Sequence, residues 1–238
     1  MTIQEEGYKK VAILQSNYIP WKGYFDIIHD VDLFIFYDEV QYTKCDWRNR
    51  NKIYTNNGLQ WLSVPVNSTR QSSIDEVKMV DKKWQKVHYN ALKMNYSKAP
   101  HWKQYKEFFE YVYLEKEWEY LYQLNRYLIK QIACDYLGIK TKFENSRNFE
   151  SCGQKHDKLL SIVKASGADC YLSGPAARDY IVAKDYADAG IDLIWKDYKG
   201  YPSYKQLHEP FESNVSVVDL LFNIGAESPY YIWGWRTV

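Results

Sequence analysis

The stretch Val11-Ala12-Ile13-Leu14-Gln15-Ser16-Asn17-Tyr18-Ile19-Pro20-Trp21-Lys22-Gly23-Tyr24 passes from a four-residue apolar run straight into a polar, aromatic loop. A short helix is expected over residues 25–29. A second apolar run, residues 33–37, then feeds Asp38-Glu39-Val40-Gln41-Tyr42-Thr43-Lys44 and Trp47-Arg48-Asn49-Arg50-Asn51. Two short apolar strands, each ending in a dense polar cluster, are the pattern of an open parallel sheet whose ligands bind beyond its carboxyl edge.

Outward from there, Asn56-Asn57-Gly58 predicts a hairpin turn between strands at 52–55 and 60–66, with Pro65 ending the pairing. Residues 67–73, rich in Ser, Thr, Asn and Gln, form a loop. A helical region covers about 82–137, with Ser97 ahead of Ala99-Pro100 as a start signal. Leu121, Leu124, Leu128 and Ile132 make an apolar stripe at steps of three and four, closed by Gly138. Alternation then resumes: a strand at 139–143, a helix at 157–166, a strand at 169–172, a Ser173-Gly174-Pro175 turn into a helix carrying Arg178, and a strand at 191–195. Ser216-x-x-Asp219 reads as a capping-box variant opening a last helix that stops at Gly225. The expected architecture is a single α/β domain over 1–238: three layers, a mostly parallel Rossmann-like sheet, and a helical insertion at 80–140.

Composition limits the function classes. The 31 basic and 30 acidic residues leave a formal charge of +1, without the basic excess of a phosphate-backbone binder, so no stable nucleic-acid complex is expected. The four cysteines, Cys45, Cys134, Cys152 and Cys170, are scattered without a C-x-x-C pair, so neither a zinc site nor a disulfide framework is indicated. Residues 1–10 are polar and the apolar run after them is short of the ~18 residues a membrane span needs, which predicts a cytoplasmic protein. Twenty-three Tyr and nine Trp exceed ordinary usage; such rings fill cores as readily as they line sugar or base sites.

The run from Ala12 to Asp26 resembles the opening of the WbqC-like proteins. The likeness continues through Asp38-x-Val40-Gln41-x-Thr43-Lys44 and Trp47-x-Asn49-Arg50-Asn51, then Tyr171-Leu172-Ser173-Gly174-Pro175 with Arg178-Asp179-Tyr180, and finally residues 216–223. It implies a protein of surface-polysaccharide or unusual-sugar biosynthesis. The expected activity is acyl or aminoacyl transfer, typically glycyl, to the amine of a nucleotide-linked amino sugar, with a non-catalytic sugar-nucleotide binding or assembly protein as the alternative. The acyl donor of a transfer to such a sugar is left open between an ATP-activated acid, a thioester and an aminoacyl-tRNA, and a homodimer is a candidate assembly. Pro20-x-x-Gly23-Tyr24 also resembles, in outline, the phosphate-handling loop of nucleotidylyltransferases. Trp21 and Tyr24 stand where that loop carries histidines.

The candidate site follows from the two loops. Lys44, Arg48 and Arg50 can hold a diphosphate or carboxylate, Arg through a bidentate fork. Gln15, Asn17 and Gln41 supply donors for an oxyanion. Tyr18, Trp21, Gly23, Tyr24, Trp47 and Asn49 complete the substrate contacts, with Ser173, Gly174, Arg178 and His208 joining from downstream. Asp38, at a strand end beside the cations, and His156, ahead of a helix, are the candidate bases. No metal site is expected.

Overall fold

Val11 and Ile13 point into one core and Ala12 into another, so the first apolar run is a strand buried on both faces. That double burial is why it reads as continuous apolar sequence. The computed structural model describes residues 7–69 and 71–237. Residues 1–6, which hold most of the polar amino-terminal stretch, and Arg70 of the 67–73 loop lie outside the described residues.

The main sheet has five parallel strands: β1 (Lys10–Leu14), β2 (Leu33–Phe36), β7 (Lys142–Asn145), β8 (Cys170–Ser173) and β9 (Asp192–Trp195). Their spatial order is β7-β2-β1-β8-β9. Relative to chain order the sheet grows one way from β1 and then, after β7, the other way, which puts a topological switch point between β1 and β8. Pairing there is brief: Lys10 with Cys170 and Val11 with Tyr171. Beyond these residues β1 and β8 do not pair with each other, each staying paired with its other neighbour, which is where doubly wound sheets form a crevice.

On one face α5 (His156–Ala165) and α6 (Ala183–Asp188) bury Leu159, Ile162, Val163 and Tyr186 against Val11, Ile13 and Ile35. On the other, α1 (Lys22–His29), α7 (Val217–Ile224) and the long β2-to-β7 connection pack over Ala12, Phe34 and Phe36. This is the three-layer α/β arrangement expected. The connection, residues 37–141, carries the antiparallel hairpin β3 (Arg50–Thr55) and β4 (Gly58–Ser63) and the small pair β5 (Val66–Asn67) and β6 (Lys78–Met79). It also carries helices α2 (Lys83–Tyr96), α3 (Trp102–Glu110) and α4 (Leu121–Gln131). Leu121, Leu124, Leu128 and Ile132 are fully buried, as their spacing predicts.

Several boundaries differ from the sequence reading. The hairpin turn is the pair Asn56-Asn57, because Gly58, at φ 92, already pairs with Thr55. Ser97 ends α2 and starts nothing: its amide donates to Lys93 O, while α3 begins after His101, whose amide is taken by Phe222 O. β7 starts at Lys142 instead of 139, since Ile139 N is spent on Ala133 O and Thr141 Oγ on Ile28 and Val31 carbonyls. Ser216 caps α7, accepting from Val218 N, but Asp219 does not reach back. Its buried carboxylate accepts from Tyr96, Tyr204 and Gln206, each at 2.8 Å, and becomes a structural hub joining α2, α7 and the segment between β9 and α7.

Candidate functional site

The loop after β1 and the loop after β2 meet at the carboxyl edge of the sheet. Tyr18 N donates to Trp47 O at 3.0 Å, and Asn51 Nδ2 donates to Ile19 O at 2.8 Å, so the two loops are stitched once backbone to backbone and once through a side-chain amide. The stitching holds unusual conformations. Ile19 (φ 34) and Cys45 (φ 59) are non-glycine residues in the left-handed region, and the third such residue described, Lys155 (φ 49), immediately precedes His156. For β-branched Ile19 this is real backbone strain, tolerated because its side chain is fully buried and its carbonyl is held. Strain of this kind clusters at functional sites.

Arg48 is the centre of the arrangement. Its Nη atoms donate to Asn17 Oδ1 and Gln15 Oε1, Asp46 lies 3.6 Å away, and its carbonyl accepts from Asn125 Nδ2 at 2.8 Å. Burial pulls the guanidinium pKa down, with Asp46 the main opposing charge. Because the amide oxygens of Gln15 and Asn17 face Arg48, their NH2 groups are left as donors. Asp38 is fully buried and accepts from Ser16 N and Arg126 Nε, both at 2.7 Å. Burial pushes its carboxyl up, while Arg126 and the Ser16 amide pull it back. The Arg126 guanidinium also lies over the Tyr122 and Phe36 rings.

Polar atoms here lack partners to a degree found nowhere else among the described residues. Of nine buried side-chain atoms without a hydrogen bond, six belong to this neighbourhood: Ser16 Oγ, Glu39 Oε1, Arg48 Nε, Asn49 Oδ1, Asn125 Oδ1 and Ser146 Oγ. Buried polar atoms are normally satisfied, and each exception costs about 1–3 kcal/mol.

The other expected residues are distributed unevenly. Tyr24 Oη donates to Gln15 O at 2.9 Å, buried beside Asp38, Arg48 and Arg126. Tyr18 is a brace: its hydroxyl joins His88 Nδ1 at 2.8 Å and the Tyr113 hydroxyl at 2.5 Å, fully buried. Gly23 makes room for the Trp21 indole, which a Cβ there would strike. At Gly174 a Cβ would meet only Tyr198 Oη, at 3.8 Å, so the backbone at the switch point is open to close approach. Ser173 is buried at the end of β8. Asn49 Nδ2 donates to Val64 O, Gln41 forms an isolated bridge with Ser73, and Lys44 is exposed. Arg50 stacks its guanidinium 4.4 Å from the Trp61 ring centroid, with Trp47 beside it.

Three residues make their contacts elsewhere. Arg178 lies over Trp195 on β9. His156 Nε2 pairs with Asp185 Oδ2 at 2.9 Å and its Nδ1 accepts from Val182 N, which ties α5 to α6. His208 packs edge-on against Tyr54 on the hairpin. Asn125 and Arg126 on α4, Ser16, and Tyr198 enter the site without having been singled out from sequence. Among the described residues there is no group of three or more His, Cys, Asp or Glu that could hold a metal, and no helix long and apolar enough to cross a membrane.

Comparison with other proteins adds ancestry and no chemistry. The chain is 47% identical over 226 residues to Uncharacterized protein Rv1507c of Mycobacterium tuberculosis (strain ATCC 25618 / H37Rv), covering 94% of this chain and 97% of that protein. No solved structure matches the chain at a significant level. The profile of the WbqC-like protein family matches residues 15–231, from the loop after β1 past the end of α7. The chain belongs to the WbqC-like protein family.

Proposed function

We propose that the crevice between β1 and β8 binds a nucleotide-linked amino sugar and that the protein transfers an acyl or aminoacyl group, glycyl being typical, to the sugar's amine. The observation that carries the reading is the cluster of unpartnered buried polar atoms around Arg48. It lies beyond the carboxyl ends of β1, β2 and β7, beside the switch point at which doubly wound sheets bind ligands. In this scheme the amine attacks the carbonyl carbon of an activated acyl group, and the leaving group departs with the bonding pair. The amine's proton passes to a base. The amide NH2 groups of Gln15 and Asn17 face the developing oxyanion, and the remaining Arg48 donors, with Arg50 and Lys44 at the rim, hold the diphosphate. Asp38 is the base nearest these groups, with its basicity raised by burial.

One observation favours a second reading, a non-catalytic sugar-nucleotide binding protein. Both candidate bases are engaged, Asp38 by Arg126 and His156 by Asp185. A mass-spectrometric assay of an amino-sugar nucleotide incubated with acyl donors separates the two, since only transfer adds the acyl mass. Binding itself is read by calorimetric titration. Arg48→Ala should weaken it by about 1.5–3 kcal/mol, and Arg48→Lys should also weaken it, because a point charge replaces a fork. If both variants bind as the native protein does, the crevice is not the site.

A further inference from the structure

Trp61 sits on the outward face of the β3–β4 hairpin, directly across from Lys52. Its ring is contacted by two cations, Arg50 Cζ at 4.4 Å and Lys52 Nζ at 4.9 Å from the centroid. The Trp47 indole lies 5.6 Å from it at an interplanar angle of 33°. Both indoles are largely open to solvent, Trp47 at 46% and Trp61 at 42%. Within the hairpin Trp61 already has its cross-strand partner in Lys52. A second exposed indole on a neighbouring loop goes beyond that pairing. The platform is also continuous with the crevice: Trp47 and Arg50 face outward while Arg48, between them, turns in to Gln15 and Asn17. The Trp47 carbonyl is bonded to Tyr18 N, which fixes the distance between the platform and the loop after β1.

We infer that Trp61 and Trp47 form the stacking platform for the nucleobase of a nucleoside diphosphate, with Arg50 and Lys52 reaching its phosphates at the mouth of the crevice. The inference rests on the proposed nucleotide-sugar reading and adds which end of the ligand lies where. An indole pair offers flat π-faces that any base can use, and stacking tolerates base identity. The two cations leave N–H donors for phosphate oxygens while they lie against the ring. The base therefore rests over the hairpin, the diphosphate lies between Arg50 and Arg48, and the sugar faces Gly174.

The test is calorimetric titration of the native protein, Trp61→Ala and Trp61→Phe with UDP, ADP and inorganic diphosphate. The native protein should bind both nucleotides more tightly than diphosphate. Trp61→Ala should lose roughly tenfold for each nucleotide and little for diphosphate, and Trp61→Phe should recover most of the loss. Trp61 is exposed, so its variants are expected to fold, which circular dichroism checks. If Trp61→Ala keeps the native ratio of nucleotide to diphosphate affinity, the base lies elsewhere; the platform is then refuted while the crevice reading stands. Native protein that binds diphosphate and nucleotides equally also refutes the platform alone. Native protein that binds none of the three overturns both.

Discussion

At the amino edge of the sheet two hollows, of about 550 and 1380 Å³, lie beside Lys10, Asp32, Thr141 and Asp169. At the carboxyl edge the chemistry is denser. The acids and hydroxyls around the larger hollow are satisfied: Asp32 accepts from Lys10 N and Asp169 from Lys9 N, each at 2.8 Å, while Thr141 and Ser166 donate to carbonyls. None of the unpartnered buried side-chain atoms described lines either hollow. The carboxyl edge inverts this, with a buried ion pair, strained loops and six orphaned polar atoms. Volume thus marks where helices and strands fail to meet, and unsatisfied polarity is what the proposed site rests on.

The comparison can be broken at its strongest point first. Arg126→Ala removes the partner of fully buried Asp38 and should destabilise the fold by about 3–5 kcal/mol in urea unfolding. A loss below 1 kcal/mol would mean that Asp38 is held neutral and the pair is no anchor. Next comes pH. Burial lowers the His88 pKa from 6.5 to about 4, so the fold keeps it neutral while the unfolded chain protonates. Stability from this group is fully present above about pH 6.5 and is lost as pH falls toward 4, a difference on the order of 3 kcal/mol. Denaturant unfolding at pH 7 and pH 4.5 should give a steeper loss for the native protein than for His88→Gln; equal slopes would assign the acid sensitivity to other groups. The smallest effect is the sharpest contrast. Ser16→Ala removes a buried hydroxyl beside Asp38 and should change stability by less than about 1 kcal/mol while weakening nucleotide-sugar binding. Lys142→Ala at the opposite edge should change stability by less than about 0.5 kcal/mol and binding not at all. Equal binding losses for the two variants would erase the distinction between the edges.

Strands β1, β2 and β8 were legible because they are short apolar runs that leave little room for another structure, whereas β7, with two charged residues in four, was misplaced at its start. The polar loops after β1 and β2 were legible for the complementary reason: so many amides and cations have no place in a core. Asn125 and Arg126 escaped notice because they sit in a helix whose visible signal is leucine spacing. A signal did exist. Asn125 lies four residues after Leu121 and three before Leu128, so it occupies the buried stripe itself, and a polar side chain there needs a partner inside. Asp219 within Val217–Phe222 posed the same question, and a local capping role hid its long-range bonds. The contacts of His156 and Arg178 depend on how α6 and β9 pack, which no local pattern specifies.

The long connection between β2 and β7 has a consequence for how the chain reaches its fold. β1, α1 and β2 are near neighbours in sequence and can associate early, whereas β7 pairs with β2 across residues 37–141. Closing a segment of roughly a hundred residues costs about 2 kcal/mol more in chain entropy than closing one of ten. The hairpin and α2 to α4 shorten that search by collapsing onto one another first. A newly made chain should therefore hold its two amino-terminal strands with an exposed edge on β2 until the helices dock, and during that interval aggregation competes with assembly.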